Sequence, residues 1–356
     1  MQLHHVEFFV QDVDAYTAEL ARSYNFRRVA ESTAESPTDA RTVVLQRGTA
    51  VLLVTQGIDE THPAAVFTRH HGDGVGDLAL TVADAADAYD RAVRTGARSI
   101  RRPEKLADGT VVATTEAFGD VTHTFVQPER PAGVWSMPGF AVDETAQVEA
   151  ARTEAPDVIE LDHFAVCLEA GVLEPTVAFY RTGLGFDEIF QEHIVVGDQA
   201  MISKVVQSPS GAVTLTLIEP DLSRRPGQID RFIKDHGGSG IQHIAFRVDD
   251  AVRAVARATE KGVAFLATPG AYYRFMEQRL ELSVHTVAEL ERHGILVDED
   301  HDGQLFQIFT RSIHDRRTLF FEIIERVGAR TFGSSNIKAL YEAVEAEKLA
   351  RGDGIW

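Results

Sequence analysis

Positive charge is scarce in this 356-residue chain: 35 Lys and Arg stand against 54 Asp and Glu, a formal net charge of −19. Nucleic-acid binding needs a basic face to replace phosphate counterions, so that class is excluded. Cysteine is scarcer still. The single Cys167 can form neither an internal disulfide nor a cysteine-based zinc cage. It sits in the apolar run His163-Phe-Ala-Val-Cys-Leu168 and reads as a small buried hydrophobe rather than a nucleophile. No stretch approaches the roughly eighteen uncharged apolar residues of a membrane span. The first residues, Met1-Gln-Leu-His-His-Val6, lack the basic-then-apolar pattern of a secretory leader, and the expected location is the cytoplasm.

What is present is an ordinary globular composition, 44% hydrophobic and 25% charged. At roughly 100–200 residues per domain, the length predicts two domains. Internal repeats support that division. Leu3-His-His-Val-Glu-Phe-Phe-Val10 matches Leu161-Asp-His-Phe-Ala-Val-Cys-Leu168. Gly72-Asp-Gly-Val-Gly-Asp-Leu-Ala-Leu80 matches Gly238-Ser-Gly-Ile-Gln-His-Ile-Ala-Phe246, and each leads into a helix that stops at a glycine, Gly96 or Gly262. Within the second half, Leu161–Val166 also matches Ile241–Phe246. Each unit opens with a strand and a helix and continues in short β-branched or aromatic strands, predicted at 200–207, 212–219, 305–311 and 317–325. The repeated unit is βαβββ, used four times. The expected organisation is a first domain at 1–130, a Pro- and Gly-punctuated linker at 131–156, and a second domain at 157–356. The last segment, 335–347, shows helical spacing with apolar residues at 337, 340, 341 and 344, and is expected to be a helix that closes over the pocket of the second domain.

Most of the fourteen histidines are read as solvated or core residues. His163 and His243 differ because they occupy the same place in a repeated strand. If paired modules curl into a half-open barrel, both point into its cavity. A third strand, Leu319-Phe-Phe-Glu-Ile-Ile324, places the acid Glu322 inside an apolar run. A buried carboxylate is costly unless paired or metal-bound. Two imidazoles and one carboxylate form the facial triad of non-haem iron(II) oxygenases, and zinc sites use the same ligands. In the first half His5 matches His163, but Asp77 replaces His243 and the strand Thr122–Gln127 has no acid. That half is expected to be a metal-free scaffold.

Several stretches resemble the 4-hydroxyphenylpyruvate dioxygenase family of the vicinal-oxygen-chelate superfamily: Gly238-Ser-Gly-Ile-Gln-His-Ile-Ala245, Thr268-Pro-Gly-Ala-Tyr-Tyr273, Asp302-Gly-Gln-Leu-Phe-Gln-Ile-Phe-Thr310, Phe320-Phe-Glu-Ile-Ile-Glu-Arg326 and Phe332-Gly-Ser-Ser-Asn336. The resemblance covers nearly the whole chain. It implies an α+β fold of two half-open barrels, each made of two βαβββ modules. It assigns Fe(2+) to His163, His243 and Glu322, and places Ser203, Gln228, Gln242, Gln307, Phe309 and Phe332 around the substrate. The implied small-molecule partners are 4-hydroxyphenylpyruvate and O2, with homo-oligomerisation left open.

The family holds two activities on that substrate. One hydroxylates the ring and yields homogentisate; the other hydroxylates the benzylic carbon and yields 4-hydroxymandelate. The homogentisate-forming pattern Pro-(Ile/Leu)-Asn-Glu-Pro reads Thr216-Leu-Ile-Glu-Pro220 here, and Phe-Gly-x-Gly-Asn-Phe reads Phe332-Gly-Ser-Ser-Asn-Ile337. Thr216, Ile218 and Ile337 therefore mark the benzylic branch, and 4-hydroxymandelate with CO2 is the expected product. The alternatives are the homogentisate-forming enzyme and a non-catalytic binding protein on the same fold. Extradiol ring cleavage shares the fold and triad type, but the C-terminal Phe-Gly-x-x-Asn pattern favours the 2-oxo acid enzymes.

Overall fold

In a computed structural model the described residues are 1–33, 39–129, 135–154 and 157–331, together with Asn336 and Lys338. The chain forms two curled sheets. The first half runs β1 (Gln2–Phe9), α1 (Val13–Tyr24), β2 (Arg27–Ser32), β3 (Ala40–Arg47), β4 (Ala50–Gly57) and α2 (Pro63–His71). It repeats as β5 (Gly74–Thr81), α3 (Ala85–Arg94), β6 (Ser99–Lys105), β7 (Val111–Phe118) and β8 (Val121–Gln127), then adds β9 (Phe140–Val142) and α4 (Glu144–Ala151). The second half runs β10 (Glu160–Cys167), α5 (Leu173–Ala178) with a π turn (Phe179–Gly183), β11 (Asp187–Val196), β12 (Gln199–Gln207), β13 (Thr214–Pro220) and α6 (Gln228–His236). Its second module is β14 (Gly240–Arg247), α7 (Ala251–Glu260), β15 (Leu296–Glu299), β16 (Gln304–Phe309) and β17 (Phe320–Val327), with α8 (Gly270–Glu277) and α9 (Val287–His293) inserted before β15.

The strand orders are β6-β7-β8-β5-β1-β4-β3-β2-β9 and β11-β12-β13-β10-β14-β17-β16-β15. In each sheet the two modules meet at one antiparallel pair, β1 with β5 and β10 with β14. The ladder slips between Leu3 and His5 in one and between Leu161 and His163 in the other. A β-bulge re-aims a side chain, and here it recurs at the equivalent histidine of each repeat. Asp84 and Asp250 cap α3 and α7 by accepting backbone N–H groups. Gly96 and Gly262, just past those helices, have φ of +107° and +91°, a conformation glycine adopts without strain.

Alternate residues of the central strands face opposite ways. Val6, Phe8, Phe164 and Val166 join α1, α3 and the α5 region in one continuous core shared by both sheets. The opposite faces of these strands carry His5, Glu7, His163 and Ala165.

The described part of the stretch expected as a linker, 131–156, carries secondary structure that packs on the first sheet. β9 pairs with edge strand β2. Ala146 and Ala150 of α4 pack with Trp135, Phe140 and Val142 against Val29, Val44 and Leu53. Trp135 meets His5 edge-on at 6.3 Å, and Met137 packs on Ala79, Val112 and Val126. Proline and glycine punctuation hid a helix capped by Asp143, whose side chain accepts from Ala146 N. Two strand boundaries also shift: residues 310–311 and 317–319 lie outside β16 and β17, because Ser312 and His314 fold the connection onto Leu319 O. Of the expected helix at 335–347, Asn336 and Lys338 are helical and the rest lies outside the described residues.

Candidate active site

Three adjacent strands at the centre of the second sheet converge on one point. The β10–β14–β17 register sets His163 opposite Ala245, and Ala245 opposite Glu322. Glu322 Oε2 lies 3.4 Å from His163 Nε2 and 3.3 Å from His243 Nε2. All three side chains are buried, Glu322 to 1% exposure. Ligand atoms sharing one divalent ion stand roughly 3.0 Å apart at right angles and 3.4 Å apart at tetrahedral angles. The three residues therefore fit a single ion. Glu322 Oε1 and His243 Nδ1 are buried without a hydrogen-bond partner among the described residues. Buried polar atoms normally find a partner, and an ion held at the Glu322 carboxylate would supply one for Oε1.

The electrostatics follow from crowding. Burial alone would lower the His163 pKa, but Glu322 and Asp162 overrule it and raise the imidazole to about 9. Burial would raise Glu322, yet the two histidines hold it below the ordinary carboxylate range. Burial lowers His243, and Glu322 only partly offsets this. At neutral pH, with no ion bound, His163 therefore keeps its proton. An ion that takes both imidazoles as neutral ligands displaces that proton.

The two histidines are held differently. His163 Nδ1 donates to Asp162 Oδ1 at 2.8 Å, which leaves Nε2 for the centre. His243 stacks on Phe320 at 5.0 Å and meets Phe309 edge-on at 5.7 Å. Phe309 stands opposite Glu322 in the β16–β17 ladder.

The substrate positions expected from the sequence lie on the surrounding elements. Ser203 of β12 pairs with Ile218 of β13, and Thr216 pairs with Val205. Ile218 belongs to an apolar wall with Ala165, Cys167, Ile194, Met201, Ile229 and Phe232, so Cys167 is the buried hydrophobe it was read to be. Gln228 opens α6 and is buried. Gln307 Oε1 and Thr216 Oγ1 are buried without a partner among the described residues. Gln242 is half-buried at a second slip of the β10–β14 ladder, which is where strict alternation fails. Phe332 and Ile337 lie outside the described residues.

Sequence reasoning missed Asp162, Arg326, Phe320 and Tyr272. The Tyr272 hydroxyl accepts from Val297 N at 2.8 Å and lies 3.1 Å from Asn336 Oδ1. The four-residue spacing of Glu322 and Arg326, which puts both on one strand face, was an available signal.

Among the described residues, two other clusters of possible ligands are closed by internal bonds. His71 spans Asp120 and the His236 carbonyl, and Glu325 accepts from His285 and from Ala251 N. In the first half, Asp77 Oδ1 accepts from the hydroxyls of Thr122 and Thr124, and burial pushes its pKa up to about 8.

Residues 2–134 and 160–308 match the family model of the Glyoxalase/Bleomycin resistance protein/Dioxygenase superfamily. The 4-hydroxyphenylpyruvate dioxygenase of Dictyostelium discoideum is 32% identical over 98% of both chains. A probable 4-hydroxyphenylpyruvate dioxygenase 2 of Aspergillus fumigatus is 36% identical over 80% of this chain and 72% of its own. Among solved structures, a triple mutant of 4-hydroxymandelate synthase from Streptomyces coelicolor is 40% identical, covers 98% of both chains and superposes with a TM-score of 0.88.

Proposed function

The chain belongs to the Glyoxalase/Bleomycin resistance protein/Dioxygenase superfamily and, within it, to the 4-hydroxyphenylpyruvate dioxygenase family; on that premise we propose that it is an iron(II)-dependent 2-oxo acid dioxygenase forming 4-hydroxymandelate. The reaction takes 4-hydroxyphenylpyruvate and O2 to 4-hydroxymandelate and CO2. One oxygen atom enters the new carboxylate and the other the benzylic carbon.

The observation that carries the proposal is the convergence of His163, His243 and Glu322 beside an apolar wall that contains Ile218. Iron(II), if held by His163, His243 and Glu322, would supply Lewis-acid and one-electron redox chemistry to a 2-oxo acid and dioxygen. The chain's own residues do the rest. Asp162 fixes the tautomer of His163, and Phe320 and Phe309 fix the plane of His243. Ala165, Cys167, Ile194, Met201, Ile218 and Ile229 keep water from the reacting carbon. Gln307 and Thr216 offer polar atoms to an otherwise apolar lining, and the phenol and the 2-oxo acid need such partners.

Placement of the ring decides the product, since small displacements of a reacting atom change which step is fast. An isoleucine at 218 gives the ring no hydrogen bond on that wall and leaves the benzylic CH2 nearest the centre. The greater identity to the hydroxymandelate synthase than to the two dioxygenases, 40% against 32% and 36%, supports the same choice. The names of those curated relatives support a second reading, formation of homogentisate.

The test is product identification after aerobic turnover of 4-hydroxyphenylpyruvate with iron(II) and ascorbate. 4-Hydroxymandelate is expected. Homogentisate as the main product replaces this reading with the second, and absence of oxygen consumption rejects both.

A further inference from the structure

Arg326 lies four residues beyond Glu322 on β17, with its side chain largely withdrawn from solvent at 11% exposure. Its Nε donates to Asp162 Oδ2 at 2.7 Å and its terminal NH2 group donates to Oδ1 at 2.8 Å. The same Oδ1 accepts from His163 Nδ1. The remaining guanidinium nitrogen donates to the carbonyl of Thr331 at 2.7 Å and reaches that of Ala329 at 3.4 Å. Asp300 holds this turn from the other side, its Oδ2 accepting from Arg330 N and Thr331 N at 2.7 Å each.

We propose, building on the iron assignment above, that Arg326 and Asp162 are positioning residues. The planar guanidinium locks the Asp162 carboxylate, the carboxylate aims His163, and the same guanidinium fixes the chain at Ala329–Thr331 where it leaves β17. The ladder slip at Asp162 gives the arrangement its geometry, since strict alternation would send Asp162 and His163 to opposite faces. A flat fork with five donors matches a carboxylate and two carbonyls at once, whereas a lysine ammonium is a point charge that cannot hold both oxygens in one plane. Asymmetry between the histidines adds weight: His243 has its Nδ1 unpartnered among the described residues and relies on ring stacking. His163 is therefore the ligand whose aim depends on hydrogen bonds.

Loss of an outer partner of a ligating histidine typically weakens metal binding 10–100-fold. The experiment measures iron(II) affinity by chelator competition on Arg326→Gln, Asp162→Asn and Arg247→Gln, with the EPR spectrum of each iron(II)–nitric oxide adduct. Asn at 162 sets an amide NH2 against the Arg326 N–H, two donors facing each other. The ion pair of Arg247, at 41% exposure, is with Glu160 on the neighbouring strand and not with Asp162 or His163. The first two variants are expected to bind iron 10–100-fold more weakly and to give a spread of EPR signals. Arg247→Gln should stay within about twofold of wild type with one sharp signal. Should Arg326→Gln fail to fold, the near-isosteric Asp162→Asn decides alone. Affinity and spectrum unchanged in the folded variants overturns the proposal. A wild type that binds no iron(II) overturns instead the iron assignment beneath it.

Discussion

Tyr180 of the second half donates its phenolic hydrogen to Nε2 of His123 in the first, 2.8 Å away, with both side chains fully buried. His123 Nδ1 donates to Leu78 O at 2.9 Å, which fixes the tautomer that accepts from the phenol. A second contact runs the other way: His314 of the second half meets Tyr16 of α1 at 3.1 Å, with its Nδ1 on Leu319 O. The two sheets are thus docked by a reciprocal pair of buried neutral histidines.

Acid should loosen that docking. Burial lowers His123 to about 4, and burial also lowers His314. A folded pKa below the unfolded value of about 6.5 means that the unfolded chain binds more protons between those limits. Stability is therefore full above about 6.5 and falls as pH drops toward 4, by up to ~3 kcal/mol for His123 alone. Urea titrations between pH 7 and 4 should show the loss, and His123→Phe should be weaker at pH 7 but show a shallower pH dependence. A wild-type stability flat across this range would contradict the argument.

The candidate ligands make a sharper prediction. Alanine at His163, His243 or Glu322 should abolish turnover and remove tight iron binding. Alanine at His5 should do neither, because β8 offers no carboxylate beside it, burial holds Asp77 protonated with its pKa pushed up to about 8, and Trp135 covers His5. Iron stoichiometry by elemental analysis checks both halves. Two tightly held ions per chain, or an active Glu322→Ala protein, would refute the assignment.

Product choice can be probed at Ile218. Ile218→Asn places an amide in an apolar wall, where an unmet polar group costs about 1–3 kcal/mol. The phenol of the substrate is the partner that offsets this cost, so the ring should turn toward position 218 and homogentisate should rise against 4-hydroxymandelate. A ratio shift of tenfold corresponds to only about 1.4 kcal/mol between barriers. Adding Ile337→Phe should push further, and the effects need not add if both positions meet one ligand. Chromatography of the two products reads the result, and an unchanged ratio in both variants would remove these positions as determinants.

Tyr272→Phe removes a hydroxyl that serves Val297 N and lies against Asn336. Loss of these bonds should cost about 1–2 kcal/mol. The hold on Asn336 should weaken, so oxygen consumption should exceed product formation while iron affinity stays near wild type. The ratio of oxygen consumed to product formed, from an oxygen electrode and chromatography, tests this. Unchanged coupling would reduce Tyr272 to plain packing.

The sequence by itself determined the repeat. Internal matches gave four βαβββ modules and their opening strands, β-branched and aromatic runs placed several later strands, and glycine stops ended the α3 and α7 helices. Those signals are local or near-identical copies of one another, so they survive without coordinates. The cluster of His163, His243 and Glu322 could be proposed from sequence, because the two histidines are repeat-equivalent and Glu322 interrupts the apolar run 319–324. What only the tertiary structure decided was everything carried by slips in register and by long-range contacts. Two ladder slips put Asp162 beside His163 and move Gln242 out of simple alternation. The stretch between the halves looked like a linker because prolines and glycines dominate its pattern. Its Trp135, Phe140 and α4 are drawn onto the first sheet by burial that no sequence window contains. The link from Arg326 to Asp162, 164 positions apart, and the reciprocal Tyr–His docking exist only once the chain has folded. Hydrogen-bond partners of that kind are fixed by three-dimensional proximity, and composition and spacing do not encode it.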